Sequence, residues 1–215
     1  MAHGKSVKVL ITGFGPFPGV RSNPSGQLIK WIESGRYPVP AGVNISTAII
    51  PTSWEAVREF ADTRMVSGEH DIVLHFGVSA RASGFQIETI ARNTVTTAPD
   101  CDGLRCHSTC IEPHAPARLP VQFPAEPLAC KLRQHSHPAC VSHDAGRYLC
   151  NMLLYLSLKC ANHRQAPTLQ SFIHIPPLRA GQFDQEQLLA GLDVIIAHFA
   201  GLHRRAKAAA GKNFN

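Results

Sequence analysis

Apolar residues along this chain follow two rhythms. Short unbroken runs rich in branched side chains, each closed by Gly or Pro, predict buried strands. They fall at Val7–Thr12 before Gly13, Val43–Ile50 before Pro51, Asp71–Phe76 before Gly77, and Ser171–Ile175 before Pro176-Pro177. A further short strand is expected at Ala139–Ser142. Between them, apolar positions three and four apart predict helices. Pro24–Ile32 carries Leu28, Ile29, Trp31 and Ile32, with Asn23 placed as N-cap and Pro24 at the first helical position. Ser53–Val66 spaces Trp54, Val57, Phe60, Ala61 and Met65 in the same way. Ala145–Leu158 puts Leu149, Met152, Leu153 and Leu156 on one face, continued by Cys160, and Gln185–Leu202 forms the last helix. The middle is irregular. Ile90–Val95 reads as extended, and 98–127 reads as loop, punctuated by Pro99, Pro113, Pro116, Pro120 and Pro124, with one short strand near Leu119–Phe123.

Strands that are apolar on both sides and alternate with helices predict an α/β fold. The expected architecture is a three-layer α/β/α sandwich around a central mixed, mostly parallel sheet. One domain is expected over 1–202, followed by a basic C-terminal tail over 203–215, whose run His203, Arg204, Arg205, Lys207 and Lys212 reads as a frayed helix end or a solvated tail.

Composition narrows the class. In 215 residues, 44% hydrophobic and 17% charged is an ordinary globular mixture. No apolar run approaches the roughly 20 residues that a membrane span needs, so no membrane partner is expected. The start of the chain lacks the long apolar segment of a signal peptide. Seven cysteines cannot all pair internally. Together these point to free thiols in a reducing cytoplasm. The net charge of +6 lies partly in the C-terminal run, where no aromatic residues are interleaved to stack bases, so nucleic acid is not an expected partner.

In open α/β sheets, chemistry collects where strands end. Three strand ends here carry unusual residues: Gly13–Gly19, Gly77–Glu88 and His174–Pro177. The Gly13–Gly19 loop fits no phosphate-binding spacing, and Pro16 and Pro18 remove two amide donors. Phe14 and Phe17 are therefore either an apolar wall or ordinary core. Cys101, Cys106 and Cys110, beside His107, lack the second cysteine pair of a structural zinc site. They read as loop thiols, and no metal is expected. Cys150 lies in the opening turns of a predicted helix, where the helix dipole favours thiolate; its bland alternative is a small buried hydrophobe. His174 reads as the histidine central in a buried strand and held by two following prolines, though such a residue is often structural. Glu88 sits in an apolar stretch and could equally be a surface carboxylate.

Four blocks change these odds: VLITGFGPFPGVRSNPSG (Val9–Gly26), HFGVSARASGFQIETIARN (His75–Asn93), SHDAGRYLCN (Ser142–Asn151) and SFIHIPPL (Ser171–Leu178). With them the chain resembles the pyroglutamyl-peptidase I family of cysteine peptidases. The resemblance implies hydrolysis of the amide bond after an N-terminal pyroglutamyl residue of small peptides, through a thioester and without a cofactor. It implies Cys150 as nucleophile, His174 as base and Glu88 as the acid that orients the base. It places Phe14 and Phe17 on the faces of the lactam ring and Asn23 at a lactam-contacting position, with Tyr148 and Leu149 extending the wall. A homo-oligomer, dimer or tetramer, is compatible with it. Two positions depart from many bacterial relatives: Val78 stands where they have a lactam-binding glutamine, and Thr97-Ala98 where they have an arginine. Two other classes remain open on the residues alone: a peptide- or nucleic-acid-binding module built on the cysteine-rich loop, and a hydrolase of another N-blocked amide.

Overall fold

The computed structural model describes residues 6–162 and 168–212. Eight strands and five α-helices follow one another as β1 Val7–Phe14, α1 Pro24–Glu33, β2 Val43–Ile50, α2 Trp54–Phe60, β3 Ile72–Val78, β4 Phe85–Glu88, β5 Ile90–Arg92, β6 Arg118–Pro120, α3 Glu126–Gln134, β7 Ala139–Ser142, α4 Leu149–Asn162, β8 Leu169–Ile175 and α5 Gln185–Lys212. Six strands form one sheet in the order β2-β1-β3-β8-β4-β7, and β5 pairs with β6 in a separate antiparallel ribbon. β2, β1, β3 and β8 run parallel. β4 runs antiparallel to β8 and carries β7 parallel to itself at the edge. The sheet is therefore mixed and mostly parallel, as expected.

The pleat sorts the core into two layers, because successive side chains on a strand point to opposite faces. Val7, Val9 and Ile11 of β1, with Ile72, Leu74 and Phe76 of β3, pack on one face against Leu28 and Ile29 of α1, Leu128 and Leu132 of α3, and Leu192 and Phe199 of α5. Leu10, Phe14, Val73 and Phe172 pack on the other face against Val57 of α2 and Met152, Leu153 and Leu156 of α4. Helices on both faces complete the α/β/α sandwich.

Local signals account for most element boundaries. The Asn23 side chain accepts from the Ser25 amide and Pro24 opens α1, as predicted. The junction of β1 and α1 is so close that a Cβ on Gly13 would lie 2.1 Å from the Ser25 carbonyl oxygen, so only glycine fits there.

The structure differs from the sequence reading in several places. The helix expected over Ser53–Val66 is α-helical only to Phe60 and then becomes a π-helical turn over Ala61–Met65. β4 and α3 were not expected: β4 is only four residues long, and α3 sits among prolines. The helix expected from Ala145 starts at Leu149, because the connection 143–148 after β7 is held in irregular conformation by Asp144, whose carboxylate accepts from the Gly146 amide. α5 does not stop at Leu202. It runs on to Lys212 through His203, Arg204, Arg205 and Lys207. His203 and Lys207, four residues apart and so on one face, both approach Asp71. Residues 213–215 of the expected tail lie outside the described residues.

Candidate active site

Cys150, His174 and Glu88 arrive at one place from three elements. Cys150 is the second residue of α4, and its neighbour Asn151 fixes that helix end. The Asn151 side chain accepts from the Arg92 amide and donates to the Arg92 and Thr94 carbonyls, tying α4 to the segment after β5. Amides of the first helical turn have no intrahelical acceptor, so those of Leu149, Cys150 and Asn151 are not used by the helix itself. Gly77 of β3 makes room beneath it: a Cβ there would lie 3.1 Å from Cys150 Sγ and 2.8 Å from the Phe172 ring.

His174 lies near the end of β8, opposite Gln86 of β4, and Glu88 lies opposite Phe172. Residues two apart on a strand share a face, so Gln86, Glu88 and His174 all point toward α4. His174 Nδ1 and Glu88 Oε1 are 2.8 Å apart, with the carboxylate fully buried. This bond engages one ring nitrogen and leaves Nε2 for the second partner of the ring, the Cys150 side chain. Burial, the strongest influence on the ring, works against its charge. The Cys150 side chain and then Glu88 outweigh it and push the His174 pKa up to about 10. The site thus favours an imidazolium beside sulfur, the state a cysteine nucleophile requires.

A small cavity of about 60 Å³ opens against the thiol, lined by Phe14, Phe17, Asn23, Thr52, Val78, Tyr148, Leu149 and Cys150. Larger cavities of about 590 and 570 Å³ lie along α5, beside Tyr37 and His135, and contain none of the three reactive groups. The small one matters because it ends on the sulfur and is almost entirely apolar. Phe14 is at once wall and core, 3% exposed and 6.5 Å from the Phe172 ring, whereas Phe17 is half-buried and belongs to the cavity. Tyr148 is fixed edge-on to Trp54 at 5.1 Å and donates to the Pro99 carbonyl. Asn23 Nδ2 and Thr52 Oγ1 both donate to the Gly15 carbonyl at 3.0 Å. The Asn23 oxygen is occupied by the amide and hydroxyl of Ser25. One Asn23 N–H and the Thr52 lone pairs therefore have no protein partner among the described residues.

All eight residues singled out in the sequence meet here. Sequence reasoning missed Thr52, which carries no motif signal beyond following the Pro51 that ends β2. It singled out His174 as the one histidine central in a buried strand, and this needs correction. His75 is fully buried in β3, bonded through its two ring nitrogens to Thr12 Oγ1 at 2.7 Å and Ser157 Oγ at 2.8 Å. The cysteines of the loop are unpaired, and among the described residues no group of three His, Cys, Asp or Glu is placed to hold a metal ion.

A thiol, an imidazole and a buried carboxylate in sequence, at the strand ends of an α/β sandwich, define the arrangement of a cysteine hydrolase. Residues 7–199 match the family model described as pyroglutamyl peptidase. The chain belongs to that family of cysteine-type exopeptidases. It is 31% identical to a pyrrolidone-carboxylate peptidase of Pyrococcus furiosus over 176 residues, covering 79% of this chain and 81% of that protein. It is 34% identical to one of Levilactobacillus brevis over 172 residues, covering 79% and 82%. The solved pyrrolidone carboxyl peptidase of Fervidobacterium islandicum superposes with a TM-score of 0.80 at 27% identity, covering 89% of this chain and 97% of that one. A binding module built on the cysteine-rich loop is not favoured by these relationships.

Proposed function

We propose that Cys150, His174 and Glu88 hydrolyse the amide bond after an N-terminal pyroglutamyl residue, with small peptides as substrates. The observation that carries this reading is the 2.8 Å bond from His174 to a fully buried Glu88, with the ring's other side on Cys150 and an apolar cavity ending on the sulfur.

The Cys150 thiolate attacks the pyroglutamyl carbonyl and forms the C–S bond. Amides at the start of α4 face the developing oxyanion. The His174 imidazolium gives its proton to the leaving nitrogen as the C–N bond breaks, releasing the shortened peptide. Neutral imidazole then takes a proton from water, whose oxygen attacks the thioester. Free pyroglutamate leaves as the acid and the thiolate returns beside imidazolium. Glu88 holds the ring and balances its charge throughout.

Pyroglutamate is a flat, neutral lactam, so its pocket needs apolar faces and a few polar groups rather than a carboxylate. Phe14 and Phe17 supply the faces, with Tyr148 and Leu149 extending them. The remaining Asn23 N–H suits the ring carbonyl, and Thr52 Oγ1 can accept from the ring N–H. These two offer a route to lactam recognition with Val78 in place of glutamine. The unpaired loop thiols of Cys101, Cys106 and Cys110 and the reactive thiol suit a reducing compartment, for which we propose the cytoplasm.

Iodoacetamide at neutral pH should alkylate Cys150 in step with loss of pyroglutamyl-naphthylamide turnover, and pyroglutamate should slow both. Cys150→Ala should have no turnover. Activity lost with Cys150 unmodified on peptide mapping, or a pyroglutamate effect confined to Cys101, Cys106 and Cys110, would remove Cys150 from the mechanism.

A further inference from the structure

The Glu88 carboxylate is loaded on one side only. Oε1 receives the His174 ring at 2.8 Å and also the Gln86 side-chain amide at 2.8 Å. Oε2 is buried and has no hydrogen-bond partner among the described residues. Gln86 is half-buried and stands directly across the strand pair from His174. The last torsion of a glutamate is broad, with no deep staggered wells to fix it. A carboxylate with one unpartnered oxygen therefore takes its orientation from whatever holds the other. We propose that Gln86 is a positioning residue of the catalytic centre, holding Glu88 Oε1 toward His174 so that the imidazolium keeps its counter-charge.

This inference rests on the catalytic reading above and adds a fourth side chain to it. Two donors on one oxygen have opposing consequences. Gln86 draws some of the oxygen's charge away from the ring, which weakens the pair. It also prevents the carboxylate from rotating or withdrawing, which preserves the pair. Restraint prevails because the Oε2 side has no bond to lose, so an unrestrained carboxylate can turn away from His174 at little cost. The titratable groups facing the pair are few. Cys150 of α4 meets the ring, Cys140 of β7 lies within electrostatic range of Glu88, and His75 of β3 is separated from His174 by the Phe172 ring. None of them replaces the Gln86 amide as a donor.

The test uses Gln86→Met, which keeps length and removes the donor, and Gln86→Asn, which keeps the amide but shortens its reach. Two quantities are read: kcat and KM for a pyroglutamyl coumarin amide across pH, and the titration of the His174 ring by NMR. Both variants should lose about three- to tenfold in kcat, the net scale of one ordinary hydrogen bond and fitting for a residue that acts on the ring only through Glu88. KM should stay within about twofold, because Gln86 does not line the pocket. His174 should titrate at lower pH by about half a unit or more, and the alkaline limb of kcat should move with it. Wild-type kcat in both folded variants overturns the proposal. So does a fall in kcat with the His174 titration unmoved, which is what loss of packing alone would produce, or a titration that moves upward. The NMR titration needs no substrate, so it still decides the role of Gln86 if wild-type protein fails to cleave the pyroglutamyl amide, an outcome that would sink the catalytic reading by itself.

Discussion

Two histidines, His75 on β3 and His174 on β8, face the same helix from adjacent strands, and only the Phe172 ring stands between them, 6.2 Å from one and 4.9 Å from the other. His75 meets Ser157 of α4 and His174 meets Cys150, two turns earlier on the same face. Both rings are buried, yet they are tuned in opposite directions. Among the described residues, His75 has the hydroxyls of Thr12 and Ser157 as its hydrogen-bond partners, and burial lowers its pKa to about 3. Desolvation acts against charge on His174 too, but a thiol and a carboxylate reverse the sign. Burial alone makes a neutral structural ring. A charge partner buried with it makes an acid–base catalyst.

Replacement should separate the two roles most sharply. His174→Ala is expected to lower kcat/KM by at least about 10³-fold while the protein stays folded, since thiol activation and leaving-group protonation both fail. His75→Leu should leave kcat within a few-fold and instead cost about 1–3 kcal/mol of stability, by stranding the buried hydroxyls of Thr12 and Ser157. Steady-state kinetics beside denaturant melts would check both, and a His75→Leu enzyme that is stable but inactive would break the comparison.

A smaller effect should follow from neutralising the carboxylate. Glu88→Gln should reduce kcat by about 10²–10⁴-fold. It should also bring the alkaline limb down from near pH 10 by about one unit or more, because Glu88 is one of the groups that raise His174. The sign follows from the shift: a raised pKa keeps imidazolium through neutral pH and loses it as pH rises through about 10. An alkaline limb unchanged in Glu88→Gln would assign the charge of the ring to Cys150 alone.

The last effect concerns stability rather than rate and has the opposite pH sense. His75 binds a proton in the unfolded chain near its ordinary pKa of 6.5 but in the fold only near 3. Its contribution is complete above pH 6.5 and is lost as pH falls toward 3, by up to about 1.4 kcal/mol per unit. Urea melts across that range should be less steep in pH for His75→Leu than for wild type. Identical slopes would show that His75 is not the group responsible.

How much of this was readable beforehand varies with the range of the interaction. β2 and β7 fall at the predicted residues, because Val43–Ile50 and Ala139–Ser142 carry their own signals of branched residues and stops. The Cys150, His174 and Glu88 positions were legible only through motif resemblance, since each alone has an ordinary structural reading. β4 was not read as a strand. Its four residues do alternate apolar and polar, but the run is too short to stand out, and it is held in place by β8 and β7 on either side. The extension of α5 to Lys212 was likewise hidden, because its basic residues look like a solvated tail until Asp71 is placed beside them.

By itself the sequence determined what local chemistry can determine: where apolar runs begin and stop, that Asn23 caps α1, that Gly13 closes the first strand, and which residue types are available to react. Tertiary structure alone decided which of two buried histidines is charged. Glu88 and His174 are 86 positions apart, and so, nearly, are His75 and Ser157 at 82. No spacing along the chain distinguishes the carboxylate pairing from the hydroxyl pairing. The sheet order does, by setting β4 beside β8 and leaving β3 between β1 and β8, so that a counter-charge reaches one ring and only hydroxyls reach the other.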